Sequence, residues 1–192
     1  MKTIFELIRN ISEQFPEKKA IICGSDSITY QELIHNSNSV SGFLQEKIKK
    51  SDVVSILSEN SINFVVTYLG IINSGNIVHI IPPNISEINL NYQIQQTKPK
   101  ILFVSDSLKK KAIRSEILES TIIESMNIKE KFSCRNLSNN ICSIIFTSGT
   151  SGKSKGVKIK HQNILHTTKN ITDFLGINEK DIEVNPLQLS HS

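Results

Sequence analysis

The sequence predicts an α/β fold, a largely parallel sheet flanked by helices on both faces. Continuous Val and Ile runs at Val53–Leu57, Ile77–Ile81 and Ile101–Val104 read as strands buried on both sides, since a half-exposed strand alternates apolar and polar residues. Amphipathic stretches of helix length separate these runs, the pattern of strands joined by helical crossovers. Punctuation falls between them, with Gly75 where a helix should end and Pro82 and Pro83 stopping the second run.

In chain order, Ile4, Leu7, Ile8 and Ile11 recur at helical spacing and predict an amphipathic helix that ends before Pro16. Ala20–Cys23 and Ser27–Tyr30 form a predicted hairpin around Gly24, Ser25 and Asp26, and a helix follows from Gln31 towards Ile48. After the strand at Val53–Leu57, a helix is expected over Ser61–Asn73, and another over about Ser86–Thr97 ahead of the strand at Ile101–Val104. Leu108–Leu118 has a helical pattern, Thr121–Ile123 is a candidate fourth strand, and Met126–Asn140 is polar, aperiodic and read as loop. Ile141–Phe146 and Val157–Lys160 read as strands on either side of a polar loop, and His161 and His166 frame a helix start.

The 192 residues suffice for one sizeable core at 38% hydrophobic content. Net charge is +4, from 22 basic and 18 acidic residues spread along the chain. The densest run, Lys109–Lys111 with Arg114, has Glu116 and Glu119 close behind and reads as a solvated helix face, so nucleic acid is not expected as a partner. Cys23, Cys134 and Cys142 lack paired zinc-site spacing, no metal site is expected, and a reducing, cytoplasmic setting is the default. Glu6 and Arg9 interrupt the N-terminal segment where a signal peptide would be apolar, and no later run is long enough to span a bilayer, so membrane insertion is not expected.

The stretch from Thr147 to Val157, TSGTSGKSKGV, has no aliphatic side chain before its last residue and follows directly on a predicted buried strand. Its glycines allow backbone N–H groups to approach a phosphate, and its hydroxyls and two lysines add donors for a polyanion. An exposed surface turn contains the same residue types, so content alone leaves both readings open. Gly152, Lys153 and Ser154 imitate the end of a Walker A loop, but Thr147 stands where that pattern requires glycine. No helix pattern starts directly after Lys153 either, which argues against a P-loop phosphotransferase.

The ordered string resembles the phosphate-binding signature of the adenylate-forming superfamily, T-S-G-T-[ST]-G-x-P-K-G-V, with Ser154 in place of the proline. The superfamily includes acyl-CoA synthetases, luciferases and the adenylation domains of peptide synthetases. The likeness extends over most of the chain: Ser27–Leu33 resembles an early strand and helix, and Asp52–Asn60 with Phe64–Gly75 the next pair. Ile80–Asn84 is similar to the family's proline-containing turn, His161, Asn163 and Ile164 to the segment after the loop, and Asn185–Ser192 to the motif P-L-x-x-x-H. Ser51 and Asn76 depart from the family, where small residues are commoner at the two positions.

The resemblance implies two half-reactions: a carboxylate attacks the α-phosphate of ATP to give acyl-AMP and pyrophosphate, and a thiol then takes the acyl group. It implies that Thr147, Ser148, Gly149, Thr150, Ser151 and Gly152 hold the phosphates, that Lys155 offsets charge on the leaving pyrophosphate, and that His191 orients the carboxylate. Mg²⁺ is expected to arrive with ATP, and the acceptor to be coenzyme A or a carrier protein's phosphopantetheine, with the ending PLQLSHS leaning towards an acyl-CoA synthetase. Ser154 is expected to loosen loop closure without abolishing the site. Segments that the family carries after this motif are not in the sequence. Residues 1–192 are therefore expected to be the N-terminal portion of an adenylate-forming domain, ending just after the loop at 147–157 and the motif at 186–191, without the C-terminal domain and inactive alone. The alternatives are a truncated nucleotide-binding or interaction module and part of a peptide-synthetase-type adenylation domain.

Overall fold

The structure, a computed structural model, describes residues 3–113, 140–147 and 154–190. The first helix, α1 (Ile4–Gln14), starts on a capping box in which Thr3 accepts from the Glu6 N–H and the Glu6 carboxylate accepts from the Thr3 N–H. It stops at Phe15, before Pro16. β1 (Lys19–Cys23) and β2 (Asp26–Thr29) form the expected antiparallel hairpin, with Gly24 in the left-handed region at φ 62°. Tyr30 belongs to the next helix, α2 (Tyr30–Lys47), and not to the hairpin. A second capping box, Thr29 with Glu32, satisfies the backbone donors of the first turn and fixes that boundary.

Then come β3 (Val53–Leu57), α3 (Ile62–Asn73), β4 (Ile77–Ile81), α4 (Glu87–Thr97) and β5 (Ile101–Val104), as the apolar runs predict. A 3-10 turn at Asp106–Leu108 leads into α5 (Lys109–Ile113), so the helical pattern from Leu108 begins one residue later than expected. The rest of that pattern, the candidate strand at Thr121–Ile123 and nearly all of the expected loop before Asn140 lie outside the described residues. β6 (Ile141–Thr147), β7 (Lys155–Lys160) and α6 (His161–Leu175) complete the order.

The main sheet runs β5-β3-β4-β6-β7, with the first four strands parallel and β7 antiparallel at the edge. From β3, the chain steps one way to β4 through α3, then back past β3 to β5 through α4. Right-handed crossovers in opposite directions place their helices on opposite faces. Side chains alternate accordingly: Val54, Ile56, Val78, Ile80, Ile101 and Phe103 enter the core with α1, α2 and α3. Leu57, Ile81, Leu102 and Val104 pack on the other face with Leu90 of α4 and Ala112 of α5.

Two positions explain how this packing closes. A Cβ added at Gly70 in α3 would stand 2.5 Å from Val40 Cβ and 2.7 Å from the Ser37 carbonyl oxygen, so glycine permits the contact between α2 and α3. Between α3 and β4, buried Asn76 donates to the carbonyls of Lys49 and Asp52, in the turn into β3, at 2.6 and 3.3 Å and accepts from the Ser74 hydroxyl at 2.7 Å. Asn76 is one of the positions at which the sequence departs from the pattern it resembles. Another, Ser51, takes the left-handed conformation at φ 67° while donating its N–H to the Gly75 carbonyl. Among the described residues, no helix is long and apolar enough to cross a membrane.

Candidate functional site

The polar stretch from Thr147 to Val157 connects β6 to β7, and both of its ends are strand. Thr147 closes β6, while Lys155, Gly156 and Val157 open β7, two residues earlier than the sequence suggests. The apolar pattern misses this start because β7 is largely exposed, with only Ile159 partly buried, so ladder pairing rather than burial defines it. In that ladder Thr147 stands directly opposite Lys155, and Phe146 opposite Gly156. Residues opposite each other in an antiparallel pair share a face. Thr147 and Lys155 therefore lie together on the α1–α3 side, in line with Ile145 and Ile159, which pack on that core.

Of the predicted site residues, the structure thus brings Thr147 and Lys155 together, the first half-buried and the second exposed. Ser148, Gly149, Thr150, Ser151, Gly152 and His191 lie outside the described residues. Ser154 Oγ is enclosed and has no hydrogen-bond partner among the described residues.

Beneath the end of β6, Phe146 is seated over a bare backbone. A Cβ at Gly156 would meet the Phe146 ring at 3.2 Å and Ile144 Cγ2 at 3.4 Å. The ring also contacts His79 edge-on, with centroids 5.4 Å apart, and Tyr92 at 6.4 Å. A groove of about 520 Å³ runs along this face between α4 and β7, bordered by Tyr92, Ile144, Phe146, Ser154 and Lys158.

His79, which interrupts the apolar run of β4, is fully buried and joins three elements. Its Nδ1 lies 2.8 Å from Ser55 Oγ of β3 and 3.3 Å from Thr97 Oγ1, and its Nε2 lies 3.2 Å from Gln93 Oε1 of α4. The pairing with Gln93 makes Nε2 the protonated nitrogen and leaves Nδ1 to accept from the Ser55 hydroxyl. Burial pulls its pKa down to about 4, against a smaller upward pull from the Gln93 hydrogen bond, so the imidazole is neutral at neutral pH. His161, at the start of α6, is also buried and held below its ordinary pKa by burial, with the Glu6 charge opposing, and its Nδ1 accepts from the Ile4 N–H at 3.5 Å. His79 ties β3, β4 and α4 beneath Phe146, while His161 ties the start of α6 to α1 at the far end of the β6–β7 ladder.

The segment leading to His191 reaches the same edge of the sheet. Beyond α6 the chain is held to the body by Lys18, whose ammonium donates to the Glu179 carbonyl, and by Asn60, which bonds to Leu187 and Leu189. Asn60 follows β3 at its carboxyl end, the edge at which Thr147 closes the parallel strand β6. Among the described residues, no three His, Cys, Asp or Glu side chains gather as a metal site.

A mainly parallel sheet whose strand β6 runs at its carboxyl end into a glycine- and hydroxyl-rich sequence has the architecture of the open α/β folds, which take their ligands at that edge. The chain belongs to the AMP-binding enzyme family, whose profile matches residues 8–192. By sequence it is 31% identical over 185 residues to gramicidin S synthase 2 of Brevibacillus brevis, a match covering 94% of this chain and 4% of that synthase. By structure it is similar to VinN, with TM-score 0.90 at 20% identity, covering 98% of this chain and 51% of VinN. It is also similar to the O-succinylbenzoate coenzyme A synthetase MenE of Bacillus subtilis in complex with AMP, with TM-score 0.87 at 21% identity, covering 99% and 50%. The chain spans about half of these two solved structures, and likeness at such identity establishes the shared fold.

Proposed function

We propose that this chain carries the pyrophosphate-holding loop of an enzyme that activates a carboxylic acid with ATP and passes the acyl group to a thiol, with residues 1–192 as the N-terminal portion of its adenylate-forming domain. The observation that supports the reading is the placement of the signature. Thr147 and Lys155 face each other across the last rung of the β6–β7 ladder, at the carboxyl edge where open α/β sheets take their ligands. The loop's sequence suits a polyphosphate: it carries hydroxyls, glycines and two lysines and no carboxylate.

In this reading Thr147, Ser148, Gly149, Thr150, Ser151 and Gly152 hold the β- and γ-phosphates, and Lys155 balances the negative charge that grows on the leaving side. Bound ATP, with its Mg²⁺, supplies the adenylyl group and the pyrophosphate that departs. His191 orients the attacking carboxylate of a small-molecule acid. Coenzyme A and a carrier protein's phosphopantetheine both fit as acceptor, in a cytoplasmic setting, and transfer assays with each tell them apart.

The test is ATP–pyrophosphate exchange across fatty, aryl and amino acids, on this chain and on the longest reading frame that contains it. Exchange is expected with one acid class in the longest reading frame and not in residues 1–192 alone, and Lys155→Ala in the longer polypeptide should lower it by about a hundredfold, the scale of losing one charge-stabilising donor. Unchanged exchange in that variant removes Lys155 from the mechanism. No exchange with any acid, in either polypeptide, counts against the whole reading.

A further inference from the structure

Three consecutive residues leave the carboxyl end of β3, and each is committed to a different neighbour. The Glu59 carboxylate accepts from the Ser105 and Ser107 hydroxyls, each at 2.6 Å, and ties this turn to the one after β5. Ser61 caps α3 by accepting from the Phe64 N–H at 3.0 Å. Asn60, between them, reaches across to the far end of the chain. Its Nδ2 donates to the Leu187 carbonyl and its Oδ1 accepts from the Leu189 N–H, both at 2.8 Å.

The Leu187 carbonyl and the Leu189 N–H, two residues apart at a bend, both face Asn60. One carboxamide can therefore grip both. The grip is on backbone atoms, so it fixes where this segment lies and which residue faces inward, whatever its side chains. Leu187 is exposed, Leu189 packs against the α1–α3 core, and Ser190 is buried. His191 follows Ser190 directly in sequence.

We propose that Asn60 is a positioning residue of the carboxylate-activating site: it fixes the Pro186–Ser190 segment, which precedes His191 in sequence, to the carboxyl edge of the sheet. The inference rests on the role proposed above for His191. Asn60 is itself exposed, so its loss frees the segment without opening the core.

Asn60→Ala and Asn60→Asp separate the two halves of the grip, because aspartate keeps an oxygen for the Leu189 N–H and lacks the donor for the Leu187 carbonyl. Hydrogen exchange of the Leu189 amide on this chain should quicken about tenfold in the alanine variant and stay closer to the parent in the aspartate variant. The melting temperature should stay within about 2 °C of the parent in both. In the longest reading frame, pyrophosphate exchange should lose about tenfold in kcat with Asn60→Ala at unchanged KM for ATP, since the phosphate loop is untouched, and Asn60→Asp should recover part of the loss. Leu189 exchange equal to the parent in Asn60→Ala overturns the grip. Parent-like kcat in a polypeptide that does exchange overturns the positioning role while leaving the proposed function intact. A parent with no exchange for any acid overturns that function and the positioning role together, and Leu189 hydrogen exchange then judges the grip alone.

Discussion

Replacing Gly70 with alanine puts one methyl group into the closest contact between α2 and α3. Its Cβ would lie 2.5 Å from Val40 Cβ and 2.7 Å from both Val40 Cγ1 and the Ser37 carbonyl oxygen. Carbon atoms pack best at about 3.5 to 4.0 Å, so the two helices must part by roughly 1 Å. Rotamer changes give no escape, because Val40 Cβ and the Ser37 carbonyl move only with the α2 backbone. Parting the helices loosens Leu33, Val40 and Leu44 against Phe64 and Leu69 in the larger core. Overpacking of this kind costs about 1 to 3 kcal/mol, and a fixed backbone neighbour puts Gly70 at the upper end. Alanine regains about 0.5 to 1 kcal/mol inside a helix, which leaves a net loss of about 2 kcal/mol. Urea unfolding of this chain followed by circular dichroism should show that loss, with a fall in melting temperature of about 4 to 8 °C. Gly156→Ala, whose nearest obstacle is the movable tip of the Phe146 ring, should cost less. Equal or higher stability in Gly70→Ala would refute the argument that a glycine is required where these helices touch.

Two further outcomes follow from single buried or strained residues. His79 is neutral in the folded chain with its pKa lowered to about 4, while the unfolded imidazole titrates near 6.5, so its contribution is complete above about 6.5 and is lost as pH falls towards 4. Unfolding free energies from urea titrations across that window should fall with a slope of up to about 1.4 kcal/mol per pH unit from this group, and His79→Gln should flatten it; an identical slope in the variant excludes His79 as a source. Ser51→Gly should raise stability by about 0.5 to 1 kcal/mol, because the left-handed conformation costs a non-glycine residue about 1 to 2 kcal/mol and glycine gives part of that back as chain entropy. A loss of stability on that change would show that the serine side chain matters more than its backbone strain.

The core strands were legible because both faces of β4 and β5 are buried, so every residue in Ile77–Ile81 and Ile101–Val104 except His79 had to satisfy one requirement, a low cost of leaving water. Helix starts at Thr3, Thr29, Ser61 and Ser86 are capped by local hydroxyls, which makes them readable within a few residues. The first residues of β7 were not readable, since Lys155 and Gly156 acquire strand character only from their partners on β6. In the site, the order of residues in the hairpin carried the information. His79 and Asn60 carried none locally, because the partners that give them meaning lie 14 to 24 residues away for one and 127 to 129 for the other.

The glycine under Phe146 also selects among ways of closing the hairpin. Sliding β7 one residue along β6 would set Phe146 opposite Val157 or Lys155 in place of Gly156, and the ring would meet a side chain where it now meets a gap. Strand side chains repeat every two residues, so the same slip would turn Lys155 to the opposite side of the sheet from Thr147. Gly156 thus acts as a register pin, making the only comfortable seating of an aromatic ring coincide with the one alignment that sets ammonium and hydroxyl side by side at the hairpin's mouth.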